Sequence, residues 1–232
     1  MGGLTRAGAL LAGAALCAAG CASQHEDSAS NQFSTVQPPP VTAPPITDPA
    51  QLQTRLLTVA DLPPEYTRLD DGAPGNGATP QDTSRTDPPE CAKVLAAVGE
   101  QYAGASARGA AGYATPDFAS IDIDAASYPG NGAAQAFSAM QDLLRRCATY
   151  SGTDADGVAV DYRVSGLAQP RTGDASVAFQ VQTTSEGLTL HSAAALVLVG
   201  SSVVQIAETA PQPIDAAAFA DLTAKQAQRL RG

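Results

Sequence analysis

From Val158 to Glu208 the chain consists of two-residue alternation interrupted by turn signals. Val158, Val160, Tyr162 and Val164 alternate with Ala159, Asp161 and Arg163; Val177, Phe179 and Val181 alternate with Ala178, Gln180 and Gln182. Ser185-Glu186-Gly187 turns the chain into Leu188–Val199, and Gly200-Ser201 turns it again into Val203–Glu208. Successive side chains of a strand point to opposite faces, so this pattern predicts an antiparallel meander with one face buried. Leu188 and Leu190 share the inward parity of their strand, and His191 points the other way.

Helical patterns flank the meander. Asp215 caps a final helix, Ile214 and Phe219 form a hydrophobic staple, and Leu222, Gln226 and Leu230 continue a face that lies on the sheet. Upstream, Ile121-Asp122-Ile123-Asp124 alternates like a strand; beyond Pro129 comes a helix with Phe137, Met140, Leu144 and Cys147 in its buried stripe. Asp48-Pro49 opens a helix with Leu52, Leu56 and Val59 on one side, ended by Pro63-Pro64. Pro89 starts another, with Cys91, Leu95, Val98 and Tyr102 on one face. Residues 70–88 and 103–117 read as loops. The predicted fold is α+β: an antiparallel twisted β-sheet packed with helices, in a single domain over 48–232.

The N-terminus says where this domain works. Arg6 precedes an uncharged apolar run that ends in Ala18-Ala19-Gly20-Cys21. A basic start, a short apolar stretch and small residues before a cleavage point make a secretory signal peptide, and the run is too short to span a bilayer. With Cys at the cleavage point, the segment resembles a bacterial lipobox, although Ala18 stands where that pattern most often has Leu. The resemblance implies cleavage after residue 20 and acyl chains on Cys21, a lipid anchor on the extracytoplasmic face of the cell membrane. Residues 21–47, with Pro38-Pro39-Pro40 and Pro44-Pro45, read as a disordered tether reaching roughly 80 Å when extended. His25 lies within it.

Export bears on the cysteines. Of Cys17, Cys21, Cys91 and Cys147, the first leaves with the signal and the second carries lipid. Cys91 and Cys147 remain as a pair in an oxidising compartment, where a disulfide is the default and two buried thiols the alternative. The formal charge is −10, with 13 Lys and Arg against 23 Asp and Glu. Phosphates and anionic lipid surfaces repel such a chain, which argues against nucleic-acid binding. Abundant Ala and Gly, only two Lys and no Trp are typical of GC-rich genomes, such as those of actinobacteria.

No catalytic constellation stands out. His191 is the one histidine beyond the tether, and it falls on a strand with no evident base or nucleophile. Asp122 and Asp124 share a strand face at roughly 7 Å, a spacing compatible with paired-carboxylate chemistry, but their alternation with Ile121 and Ile123 is explained by a solvated face. Asp154-Ala155-Asp156-Gly157 resembles the middle of an EF-hand loop, yet Gly152 and Arg163 would stand at its first and twelfth positions, so a turn is the better reading. Gly130-Asn131-Gly132 echoes a dinucleotide loop but has Gln135 for the third Gly. We therefore expect no enzyme, no cofactor and no metal site.

The phrase Leu56-Leu57-Thr58-Val59-Ala60-Asp61-Leu62-Pro63-Pro64 resembles the opening of actinobacterial envelope sensor-domain lipoproteins of unknown function. The element order from Ile121 onward is similar to the extracytoplasmic sensor domain of the mycobacterial PknH-type receptor kinases. The resemblance implies an antiparallel twisted sheet with helices and a ligand cleft. Those kinase domains carry two disulfides; this chain has cysteines for one. With no kinase segment here, sensing would need a partner. Two functions follow. The first is a lipid-anchored module that binds a small molecule, lipid or glycan in a cleft bordered by loops 70–88 and 103–117, with Tyr102 and Tyr113 for stacking; no ligand residue is assigned. The second is an accessory protein that docks on an envelope partner through an exposed apolar patch.

Overall fold

A computed structural model of the chain describes residues 33–69 and 83–232. Residues 1–32, with the expected signal peptide, Cys21 and His25, and residues 70–82 lie outside the described residues. The fold is α+β, as expected: among the described residues nine strands form one antiparallel sheet in the order β1-β3-β4-β9-β8-β7-β6-β5-β2. In chain order these are β1 (Thr67–Arg68), β2 (Arg85–Asp87), β3 (Ala107–Ala114), β4 (Ser120–Ser127), β5 (Thr149–Thr153), β6 (Ala159–Gly166), β7 (Ala175–Ser185), β8 (Leu188–Val199) and β9 (Ser202–Ala210). The helices are α1 (Pro49–Gln53), α2 (Val98–Gln101), α3 (Gly132–Arg146) and α4 (Ala216–Arg231).

Both faces of the central strands are covered, where the alternation predicts one. On β8, Ala194, Leu196 and Leu198 join the core under α3, while Ala193, Ala195, Val197 and Val199 join the core under α4. Covering both faces turns an alternating strand into a continuous apolar run, and residues 192–199 are all buried. Further out, β6 and β7 keep the expected alternation. Val164, Phe179 and Val181 enter the α3-side core, while Asp161, Arg163, Gln180 and Gln182 on the other face are exposed.

α4 forms as its cap predicts: Asp215 Oδ1 accepts from the N–H groups of Ala217 and Ala218, and Phe219, Leu222 and Leu230 are buried. Other expectations need correction. The first helix ends at Gln53. Beyond it the Leu57 N–H turns to Gln226 Oε1, and Thr58 opens a capping box with Asp61, so Val59 is half exposed. The helix expected from Pro89 is broken into a 3-10 turn, Pro89–Lys93, and the short α2. Between them the Ala96 carbonyl accepts from the side chains of Gln101 and Gln205 instead of an amide one turn on.

Residues 103–117 are not a loop, since they contain β3. Its Gly109 lies where a Cβ would meet the Gln53 backbone at 3.4 Å. The Gln53 amide pairs with both backbone groups of Ala110 on that strand, donating to its carbonyl at 2.8 Å and accepting from its N–H at 3.1 Å. Leu188 and Leu190 are exposed rather than inward, because β8 outruns β9 there: their pairing ends at His191 and Ala210.

Residues 33–46, expected within a disordered tether, are ordered against the domain. From Phe33 to Ile46 the chain is laid against the domain as a strap. Phe33, Val36 and Val41 pack on the α3-side core. Ser127 Oγ accepts from the Ile46 N–H, and Ser201 Oγ donates to the Pro44 carbonyl, both at 2.9 Å. Fixed φ at the prolines lowers the entropy lost when such a segment is held extended.

Candidate functional site

β7 begins four residues before its pairing with β6 starts, at Phe179 and Gly166. At this end of the sheet the chain leaves β6, and Leu167 donates its N–H to the Ala178 carbonyl before residues 168–174 loop back. That loop, the strap and Thr223 of α4 border a half-open cavity of about 360 Å3, a size usual for small-molecule sites. Phe33, Val36, Leu167, Pro170 and Ala195 give it apolar walls, and Ser34, Gln169, Thr172, Ser176 and Thr223 give it polar ones. Among the described residues no charged side chain lines it.

The polar groups are not equally free. The Thr172 hydroxyl donates to the Pro170 carbonyl at 3.2 Å and the Thr223 hydroxyl to the Phe219 carbonyl at 2.9 Å. Ser176 Oγ accepts from the Thr172 N–H at 2.9 Å. Gln169 Nε2, by contrast, is buried with no hydrogen-bond partner; among the described residues only Ser106 Oγ shares that condition. Nothing in the local sequence marks Gln169, since its burial depends on a loop closing under a strap more than 130 residues away.

A second hollow, of about 320 Å3, lies beside the edge of β3, between Gln53, Glu100, Arg108 and Asp124. Asp124 is half-buried, not on the solvated face its alternation predicts. Burial, then the charges of Asp122 and Glu100, push its carboxyl up to about 6. Asp122 is more exposed and takes a hydrogen bond from the Ser120 hydroxyl at 3.2 Å.

The remaining sequence candidates are dispersed. Cys91 and Cys147 form a disulfide with a Cα separation of 5.6 Å. It joins the 3-10 turn Pro89–Lys93 to the end of α3 within the α3-side core. His191 is half-buried on β8 and borders a hollow of about 50 Å3 with Pro213 and Ile214. Asp154 Oδ1 accepts from the N–H groups of Asp156 and Val158 in the β5–β6 turn, so its carboxylate is spent on the backbone. Asn131 Oδ1 accepts from the Val41 N–H of the strap at 3.3 Å. Tyr113 lines no cleft: it is fully buried and donates to the Leu57 carbonyl at 2.6 Å. Tyr102 packs edge-on against Tyr128, with ring centroids 5.7 Å apart. Among the described residues no three His, Cys, Asp or Glu side chains come together as metal ligands, and no helix is long and apolar enough to cross a membrane.

This architecture has relatives. Residues 47–229 match a family described as PknH-like extracellular domain. The extracellular domain of PknH from Mycobacterium tuberculosis superposes with a TM-score of 0.59 at 15 % identity, covering 82 % of this chain and 99 % of that one. An uncharacterized Mycobacterium smegmatis protein, an Rv0999 ortholog, gives a TM-score of 0.41 at 13 % identity over 80 % and 98 % of the two chains. No curated protein matches the sequence. By the extent of the family match and by its fold, the chain belongs to the PknH-like extracellular domain family.

Proposed function

We propose that this protein is a non-enzymatic binding module, anchored outside the cell by lipid on Cys21, that holds a small ligand in the strap cavity. The observation that carries this reading is the cavity itself: about 360 Å3, apolar on several walls, with hydroxyl-bearing side chains on the others. A concave site of this size, mostly apolar with a few polar groups, is the usual form of a small-molecule site. The extracellular family and the lipobox-like Ala18-Ala19-Gly20-Cys21 both support action at the outer face of the membrane.

A second reading, docking on an envelope protein, draws on Leu188 and Leu190, which are 77 % and 43 % exposed at the protruding end of β8. Isolated exposed leucines are common on protein surfaces, so this observation weighs less than the cavity.

The test is native mass spectrometry of the mature protein extracted in mild detergent from an actinobacterial host. We expect a noncovalent mass that denaturation releases, and covalent acyl mass that Cys21→Ser abolishes along with membrane fractionation. A chain with no releasable mass in any preparation overturns the binding reading. An unacylated chain in the soluble fraction overturns the anchor.

A further inference from the structure

We propose that the hollow beside β3 is a second binding site, which takes the zwitterion of an amino acid or short peptide. Asp124 and Glu100 receive its protonated amine, and Arg108 receives its carboxylate. The site shares no lining residue with the strap cavity, so it stands apart from the reading above.

The strand register brings these charges to one face. Asp124 of β4 pairs with Ala110 of β3, and Arg108 pairs with Ala126. Paired residues, and residues two apart, share a face of a sheet, so Arg108 and Asp124 are diagonal neighbours roughly 7–8 Å apart. Ala126 and Val98 both belong to the α3-side core, so α2 lies over this same face. It adds Gly99 and Glu100 to the wall of the hollow. A Cβ on Gly99 would meet Arg108 Nε at 2.5 Å, so the arginine side chain lies across the glycine. Burial, then the charges of Asp122 and Glu100, raise the Asp124 carboxyl, and no cation is among the groups that act on it.

Where opposite charges meet elsewhere in the domain, they pair: Arg145 with Asp142, Arg229 with Asp61 and Arg231 with Asp174. Among the described residues Asp124, Glu100 and Arg108 make no ion pair and no side-chain hydrogen bond. The half-buried Asp124 carboxylate has lost part of its hydration without gaining a partner, which costs free energy that a ligand ammonium would return. At the other end a planar guanidinium can take both oxygens of a ligand carboxylate. The balance of charge narrows the class. Asp122, Asp124 and Glu100 together repel a simple anion. Arg108 opposes a simple cation, and among the described residues no acidic side chains gather as metal ligands. A hollow of about 320 Å3 admits an amino acid or a dipeptide.

The test uses the exported chain with Cys21→Ser, which keeps every residue after the signal segment and needs no detergent. L-alanyl-L-alanine is titrated at pH 7 and followed by amide chemical shifts. Two blocked forms run beside it: the N-acetyl peptide, which lacks the amine charge, and the C-terminal amide, which lacks the carboxylate. We expect saturable shifts for the free dipeptide, centred on residues 97–100 and 108–110. Either blocked form should bind about tenfold more weakly. Arg108→Gln should weaken the free dipeptide about tenfold and leave the amide unchanged. Asp124→Asn should weaken the free dipeptide and leave the acetyl form unchanged. A residue that only supports the fold would not tell the two blocked forms apart. Near-UV circular dichroism matching the parent shows that each variant is folded. An amide that binds as tightly as the free dipeptide makes this a cation site and overturns the assignment. So does dipeptide binding that ignores Arg108 or Asp124, or the absence of saturable shifts at millimolar dipeptide. None of these outcomes bears on the strap cavity, whose ligand is read from released mass.

Discussion

Gln141 of α3 and Val36 of the strap exchange two hydrogen bonds: the Val36 N–H donates to Oε1, and Nε2 donates to the Val36 carbonyl, each at 2.9 Å. The amide thus serves as one residue of a strand partner for an extended segment that has no sheet to join. Gln141→Leu removes both bonds of the half-buried Val36 backbone, for a loss of about 1 kcal/mol. Hydrogen exchange should show the Val36 amide losing its protection while β8 keeps its own. Equal loss in both would mean that the strap unfolds only with the domain.

Gln226 plays the same part at a fully buried position, tying α4 to the Arg55–Leu57 segment. Here water cannot replace the partner that the Leu57 N–H loses. Gln226→Leu should therefore destabilise the domain by roughly 1–3 kcal/mol, since the buried Leu57 N–H loses its acceptor while the part-buried Arg55 carbonyl loses its donor. Urea denaturation checks this: the midpoint should fall with little change in slope.

How much of this was legible in the sequence follows from whether a signal was local. The β6–β9 meander, α4 with its Asp215 cap, and the pairing of Cys91 with Cys147 were readable because period, cap chemistry and cysteine count sit in contiguous residues or in simple arithmetic. β3 was not, because Gly109, Ala110, Ala111 and Gly112 carry no alternation; small residues there permit close approach of α1. The two-sided burial of β8 hides in a run of alanines that fits either face. The strap looked like a tether because its partners, Gln141, Ser127 and Ser201, lie at least 80 residues away. The cavity inherits that difficulty, since its walls come from the strap, a hairpin loop and α4.

Asp124 gives the domain a pH dependence of definite sign. Burial, with Asp122 and Glu100 nearby, raises its folded-state carboxyl to about 6, above the value near 3.9 of an unfolded chain. Between these values the folded state holds more protons than the unfolded one, so stability falls as pH rises through roughly 4 to 6. Above that window the penalty is complete. Asp122 and Glu208 are also shifted upward, mainly by burial, and add to the trend. Asp124→Asn should flatten this part of the profile and stabilise the protein at pH 7. Melting temperatures of parent and variant from pH 4 to 8 should converge at the acid end; a constant gap would disprove the assignment.

The Cys91–Cys147 bond closes a loop spanning 56 positions, within which lie β3, β4, α2 and α3. Both cysteines are buried, at 1 % and 0 % exposure, so reductant reaches the sulfurs slowly unless the domain opens. In the chain-entropy account, a loop of this length stabilises the fold by about 4 kcal/mol. Loss of that term should be felt most in the 3-10 turn Pro89–Lys93, whose hold on α3 includes the bond itself. A Cys91→Ala/Cys147→Ala double variant should unfold at markedly lower urea. Its first exchange-labile amides should fall in residues 88–102, ahead of α4 and β8. Uniform loss of protection over the whole sheet would instead make the bond a global staple, with no local segment released first.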